Sequence, residues 1–150
     1  MKISDAIARV DNLYPNQYSA DEKVTWLSIL DSQIHTDIIE THEYIGLEGK
    51  PVPPPPFVPY NIDETSVLLT APFPYDEMYV TYLKCKIDEM NEESDRYNNH
   101  AILYNEQYSQ YAKWYNKTHR PLRVYMHYVG RMKEDNPNEN IPDIIPRQTE

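Results

Sequence analysis

The stretch from residue 75 to residue 119 constrains the fold most, because it contains no proline or glycine. Its apolar and aromatic side chains recur at alternating steps of four and three residues, which is the spacing of one helix face. The pattern predicts one very long helix or two helices in line, with a kink or break at Asn98 and Asn99, which are poor helix formers. A continuous helix would be roughly 65 Å long, about twice the span of a small domain. Part of the stripe is therefore expected to contact another chain.

The second half of this stripe consists of tyrosines instead of leucines. A buried tyrosine hydroxyl needs a hydrogen-bond partner or water, and tyrosine offers a large contact area with few rotatable bonds. These properties favour a surface where subunits meet, although tyrosines lining an ordinary polar-edged core remain the alternative. The predicted subunit interface consists of Tyr97, Tyr104, Tyr108, Tyr111 and Tyr115.

The remaining pattern predicts a mainly α fold, a small helical bundle built on the long helix. Ser4 is expected to cap a first helix, and Ser19 with Glu22 forms a capping box for a second helix that runs to about Glu43. Residues 46–74 are predicted to form an extended proline-rich arm containing a short strand at 66–70, whose partner strand could belong to a neighbouring subunit. Residues 1–133 would form the helical domain and 134–150 an extended tail.

Charge is distributed unevenly along the chain. The net charge is -10, with 7 Lys and Arg against 19 Asp and Glu in residues 1–112, and 6 basic residues without any acid in residues 113–133. Nucleic-acid binding needs positive charge to dominate a whole face, so this balance argues against a DNA-binding protein. The basic segment could instead pair with an acidic protein surface.

Residue patterns that carry chemistry are few, and we expect no enzymatic activity, cofactor or metal. Three glycines and no phosphate-binding loop exclude the common nucleotide motifs. Cys85 is the single cysteine, and His35 and His42 are seven residues apart, which does not match the spacing of a zinc pair. The acidic cluster resembles a solvated helix face and consists of Asp88, Glu89, Glu92, Glu93 and Asp95. With no signal peptide or membrane span, the chain is expected to stay in the cytoplasm of the cell that makes it.

Several segments together resemble a family of small phage and prophage proteins encoded among head genes. They are residues 15–18 (PNQY) leading into 23–31 (KVTWLSILD), 72–83 (PFPYDEMYVTYL), 97–99 (YNN) and 114–117 (WYNK). This family is similar in size and helical layout to the head-to-tail connector, or head-completion, proteins of long-tailed phages. The resemblance covers roughly residues 3 to 120, and its motifs are structural, not catalytic.

The resemblance implies a structural protein of the virion neck, made in the host cytoplasm. It would form a ring of twelve subunits under the portal, join the head to stopper or tail proteins, and let DNA pass through its bore without membrane contact. The predicted portal contact combines the basic segment with the tail and consists of Arg120, Arg123, Arg131, Ile141, Ile144 and Ile145. The alternatives are another virion ring, such as a stopper or tail terminator, and a cytosolic helical adaptor whose proline-rich segment recruits a partner.

Overall fold

A computed structural model describes residues 1–122 and shows a mainly helical protein, as the sequence predicts. The described part contains four α-helices: α1 (Ile3–Leu13), α2 (Ala20–Ile34), α3 (Glu77–Met90) and α4 (Ser94–Thr118). A π-helical turn, His35–Ile39, extends α2, and a two-stranded antiparallel ribbon pairs β1 (Tyr44–Ile45) with β2 (Pro51–Val52). Residues Met1–Arg120 form one compact unit. The predicted domain boundary at residue 133 and the tail 134–150 lie outside the described residues.

The ends of the first two helices follow local hydrogen bonding. Ser19 caps α2, because its Oγ accepts from the Glu22 backbone N–H while the Glu22 carboxylate accepts from the Ser19 N–H, so the predicted capping box is confirmed. Helix α1 begins one residue before the predicted cap, with Lys2 as N-cap instead of Ser4. The π-helical turn carries the second helical segment on to Ile39.

The long stretch does not form one helix or two helices in line, which corrects the prediction. It breaks at residues 91–93, where Glu92 has a positive φ of 59°, and not at Asn98 and Asn99, which lie inside α4. Helices α3 and α4 pack side by side in opposite directions, since Tyr82 contacts Tyr104 at a ring distance of 5.4 Å and Tyr75 contacts Trp114 at 5.1 Å. The stripe therefore closes on itself as a helical hairpin, and most of it needs no second chain.

Helix α3 is the central element, since it buries side chains on nearly every face and contacts the other three helices. On α4, by contrast, only Tyr111 and Tyr115 are fully buried. The centre of the core combines apolar side chains of α1, α2 and α3 with these two tyrosines; its innermost aliphatic members are Ile3, Val10, Leu27, Leu30, Ile34, Met78, Leu83 and Ile87.

The predicted arm and strand pack on the body of the same chain. Pro55 accepts a hydrogen bond through its carbonyl from His35 Nε2 at 2.8 Å, and Phe57 packs against the His35 ring. The 66–70 segment makes an isolated bridge between Leu68 and Lys2, so its partner is the chain's own N-terminal segment and not a neighbouring subunit. Within residues 1–122, no helix combines the length and the apolar character that crossing a membrane requires.

Candidate functional site

The five tyrosines of the predicted interface lie at different depths along α4. Tyr111 and Tyr115 are 1% and 8% exposed, Tyr104 and Tyr108 are half-buried, and Tyr97 is 38% exposed. In this conformation Tyr111 and Tyr115 have almost no surface to offer to another subunit, which corrects their assignment and favours the core alternative. Tyr97 remains accessible, and Tyr104 and Tyr108 partly so.

The buried end of this stripe is an aromatic cluster. Tyr111 lies against Tyr75 and Trp114, and the Tyr115 ring stacks on His119 at 3.7 Å with a 4° angle between the planes. Burial raises the pKa of both Tyr111 and Tyr115 above the usual value, so their hydroxyls stay protonated at neutral pH. This cluster fixes the C-terminal half of α4 on the body.

Only one residue of the predicted portal contact can be located. Arg120 is exposed at the end of the compact unit, and its carbonyl accepts a hydrogen bond from the Glu43 N–H at 2.7 Å. This bond anchors the chain where the described part ends. Arg123, Arg131, Ile141, Ile144 and Ile145 lie outside the described residues.

The most elaborate polar site of the described part surrounds Asp31, which is fully buried on α2. Its carboxylate accepts hydrogen bonds from the Tyr79 hydroxyl at 2.5 Å, from the Tyr60 hydroxyl, and from the Thr70 N–H at 3.1 Å. The Tyr79 oxygen accepts in turn from the Ala71 N–H at 2.9 Å. We call these five residues the Asp31 node. The node joins α2 and α3 to two places in the segment that connects β2 with α3, Tyr60 and the Thr70–Ala71 pair.

The electrostatics of the node indicate a structural role. Burial raises the pKa of Asp31 despite the hydrogen bonds that favour its charged form, and it raises the pKa of Tyr60 and Tyr79 as well. Both carboxylate oxygens have donors, and the side chain has no exposed surface. A carboxylate with these partners and no access to solvent is suited to holding elements together and not to exchanging protons with a substrate.

A second buried carboxylate, Asp88, corrects the description of the acidic cluster as a solvated face. Asp88 is fully buried and accepts from the Tyr14 hydroxyl and from His100 Nδ1, the latter at 2.6 Å. It thereby joins the end of α1 to both helices of the hairpin. Glu89, Glu92 and Asp95 are exposed, as expected for a solvated surface.

The histidines and the cysteine occupy ordinary structural positions. His35 bonds the Pro55 carbonyl and Glu40, and His42 Nδ1 lies 2.8 Å from the Ile38 carbonyl oxygen. Burial raises the pKa of the Cys85 thiol to about 11, so it stays protonated. Among residues 1–122 no group of three or more His, Cys, Asp or Glu side chains is arranged to hold a metal ion.

Two surfaces with exposed apolar side chains stand out on this acidic body. The first, the α2 groove, has a volume of about 460 Å³. It is lined by the outer face of α2 and by the segment after the prolines: Thr25, Ser28, Ile29, Ser32, Gln33, Phe57, Pro59, Tyr60 and Ile62.

The second surface, the α4 ridge, is the outer face of the N-terminal half of α4. Ile102 and Leu103 are 69% and 45% exposed there, and three exposed asparagines flank them: Asn98, Asn99 and Asn105. Glu106, one turn further on, is the single Asp, Glu, Lys or Arg between Tyr97 and Tyr111, and Asp95 and Arg96 precede this run on α4. The isoleucine and the leucine form a small exposed apolar patch, whereas the three asparagine amides would need hydrogen-bond partners in any contact that buries them.

The sequence contained signals for these features. Asp31 interrupts the apolar stripe of α2 between Leu27 and Ile34, which marks it as a buried polar residue. The run 97–105 of α4, which contains no Asp, Glu, Lys or Arg, is equally visible in the sequence. Comparison of the chain with protein-family models, with curated proteins and with solved structures finds no match in any of the three.

Proposed function

We propose that this chain is a structural subunit of a phage neck, a head-to-tail connector that assembles as a ring under the portal. The observation that carries the proposal is the resemblance of residues 3 to 120 to small phage head-gene proteins. The resembling segments lie in one packed body, because 23–31 falls within α2, 72–83 leads into and begins α3, and 97–99 and 114–117 belong to α4.

The charge of the body supports a neck role. The exposed surface carries acids on several elements, for example Asp21 on α2, Glu64 in the connecting segment and Glu92 at the hairpin turn. DNA would slide past an acidic bore without sticking, since phosphate contacts require Lys and Arg. On this proposal the portal contact lies in the basic segment and the tail, and Arg120 lies at the end of the compact unit.

Two alternatives receive less support. Tail-terminator and stopper rings are expected to be richer in strand than this chain, in which residues 1–122 form only a ribbon of two two-residue strands and an isolated bridge. A cytosolic adaptor would recruit a partner through this segment, whose prolines are mostly exposed, but part of the segment already contacts its own body. Here the Pro55 carbonyl already bonds His35, and Phe57 packs on Tyr60 at 5.6 Å.

The test is removal of the gene from the phage or prophage that encodes it. We expect lysates with DNA-filled heads and separate tails, and we expect the purified protein to join them when it is added. Normal virions without the protein would refute the proposal. A second measurement concerns DNA: the purified protein should not bind duplex DNA at physiological salt, and micromolar binding with a steep salt dependence would contradict the channel role.

A further inference from the structure

The ring of His35, at the start of the π-helical turn, has a hydrogen-bond acceptor on each side. Its Nε2 lies 2.8 Å from the Pro55 carbonyl oxygen, and its Nδ1 lies 3.2 Å from a carboxylate oxygen of Glu40. The residue is 8% exposed, so little water can replace either partner. A carbonyl and an ionised carboxylate only accept hydrogen bonds. Both contacts together therefore require a proton on each ring nitrogen, which is the charged imidazolium form.

A neutral ring has one proton and leaves one of the two acceptors without a donor. A hydrogen bond to a charged acceptor is roughly twice as strong as one to a neutral acceptor, so the single proton favours Nδ1 and Glu40. The lone pair of Nε2 then faces the Pro55 carbonyl oxygen, and the two acceptors repel each other. Pro55 is exposed, so water can hydrate its carbonyl once it moves away. Loss of one proton thus turns an attraction at Pro55 into a repulsion.

The imidazole has few other charges around it. Within residues 1–122, Glu40 forms its single ion pair with this ring. On the same helical stretch, the oxygens of Asp31 are occupied by the donors of its node, and Asp37 is exposed and adds a charge near Tyr108 of α4. Tyr60 is the one titratable side chain of residues 53–60, and it donates to Asp31. Glu40 therefore decides which nitrogen of a neutral ring keeps the proton.

We propose that His35 is a pH-sensitive latch for the proline run 53–56. The protonated ring holds the run on the π-helical turn through the Pro55 carbonyl, and the neutral ring releases it. Imidazole changes its charge between about pH 5 and 8, so the latch is closed at the acid end of this range and opens as pH rises. The run stays attached on both sides, through the pairing of β2 before it and through Tyr60, which bonds α2, after it. The latch is independent of the neck function.

Nuclear magnetic resonance of the full chain between about pH 5 and 8 reads the latch directly. The nitrogen chemical shifts of the His35 ring report which nitrogens are protonated. The carbon shift of the Pro55 carbonyl reports its hydrogen bond, and carbon-detected spectra measure it although Pro56 has no N–H. We expect the ring to change from the doubly protonated form to the Nδ1–H form, and the Pro55 shift to move in the same titration. A Pro55 shift that does not follow His35, or a neutral ring that keeps its proton on Nε2, would overturn the proposal.

Glu40→Ala tests the competition between the two acceptors, and the exposed position of Glu40 makes it safe for the fold. Without the carboxylate, the neutral ring should keep its proton on Nε2 and the Pro55 carbonyl shift should stay at its closed value across the whole range. A Pro55 shift that still moves with pH in this variant would contradict the latch. Glu43→Ala is the matched control, since the bond of Glu43 to the Arg120 carbonyl uses the backbone N–H, which alanine keeps. It should titrate as the parent does.

His35→Gln tests the ring itself. The glutamine amide offers a donor in place of Nε2–H and has no proton to lose near neutral pH, so the pH dependence of the Pro55 shift should disappear. All these variants retain Asp31, so a pH effect that comes from Asp31 would remain in each of them and is thereby distinguished from the latch. Circular dichroism checks that each variant keeps the helical content of the parent.

Discussion

Replacing Tyr79 by phenylalanine tests how much the Asp31 node contributes to folding. The Tyr79 hydroxyl donates to the Asp31 carboxylate and accepts from the Ala71 N–H, and all three groups are buried. Loss of a hydrogen bond to a charged group costs about 1.5–3 kcal/mol, and a buried N–H left without an acceptor costs about 1–3 kcal/mol more. We therefore expect Tyr79→Phe to lower the free energy of unfolding by about 3–5 kcal/mol.

That loss is large against the 5–15 kcal/mol that is typical of a whole domain. For a compact unit of this size it corresponds to a fall in the melting temperature of roughly 10–20 °C. Tyr60→Phe should cost less, about 1–2 kcal/mol, because Tyr60 is half-buried and water can replace its hydroxyl beside Asp31. Tyr79→Phe should therefore lose more stability than Tyr60→Phe, because Tyr79 is the more deeply buried of the two tyrosines.

Urea unfolding followed by far-UV circular dichroism measures these differences, provided that the slope with denaturant is unchanged. Tyr97→Phe is the matched control, since Tyr97 lies at the exposed end of the tyrosine stripe and its loss should change stability by no more than about 0.5 kcal/mol. If the free energy of unfolding of Tyr79→Phe lies within about 1 kcal/mol of the parent value, the node contributes less to stability than its geometry indicates.

Three further predictions follow from single features. Burial raises the pKa of Asp31 above its ordinary 3.8, so the folded chain binds the proton more tightly than the unfolded chain. The parent should therefore lose stability relative to Asp31→Asn as pH rises from about 3.8. A difference in the free energy of unfolding that stays constant across pH would contradict this. Ser19→Ala should cost about 1 kcal/mol in urea unfolding through loss of the cap, and Ser19→Gly a few tenths. Deleting residues 134–150 should leave helical content and melting temperature nearly unchanged and abolish attachment to filled heads; unfolding of the truncated chain would instead place the tail in the core.

The periodicity of the sequence predicted a mainly helical fold, but not the turn between α3 and α4. The 3-4 stripe marked the buried faces of α3 and α4 correctly away from the turn, but Met90 and Tyr97 beside the turn are exposed. A stripe with the same spacing on both sides of a turn looks continuous in sequence. The break at Glu92 has no proline or glycine, and a non-glycine residue with positive φ leaves little trace in the residue pattern. Asn98 and Asn99 are poor helix formers, but tertiary packing of the hairpin overrides that weak preference.

The candidate site was harder to predict, because it depends on contacts between segments far apart in sequence. Asp31 was recognisable as a polar residue on an apolar stripe, but its partner Tyr79 lies 48 residues away and Tyr60 follows the prolines. Asp88 could not be distinguished from its acidic neighbours, since its burial depends on Tyr14 and His100 from two other helices. Spacing along one helix carries no information about such partners.

The same contacts that bury Asp31 also build the wall of the α2 groove. Tyr60 donates its hydroxyl to Asp31 and its backbone N–H to Ser28 Oγ at 3.0 Å, and Phe57 packs against its ring. A proline-rich segment free in solution would have to be ordered when a partner arrives, and that ordering would weaken binding. Here the segment is ordered during folding, because the hydrogen bonds of the Asp31 node hold it on the body. The groove is consequently preformed, so a partner of any kind that enters it does not have to order its wall.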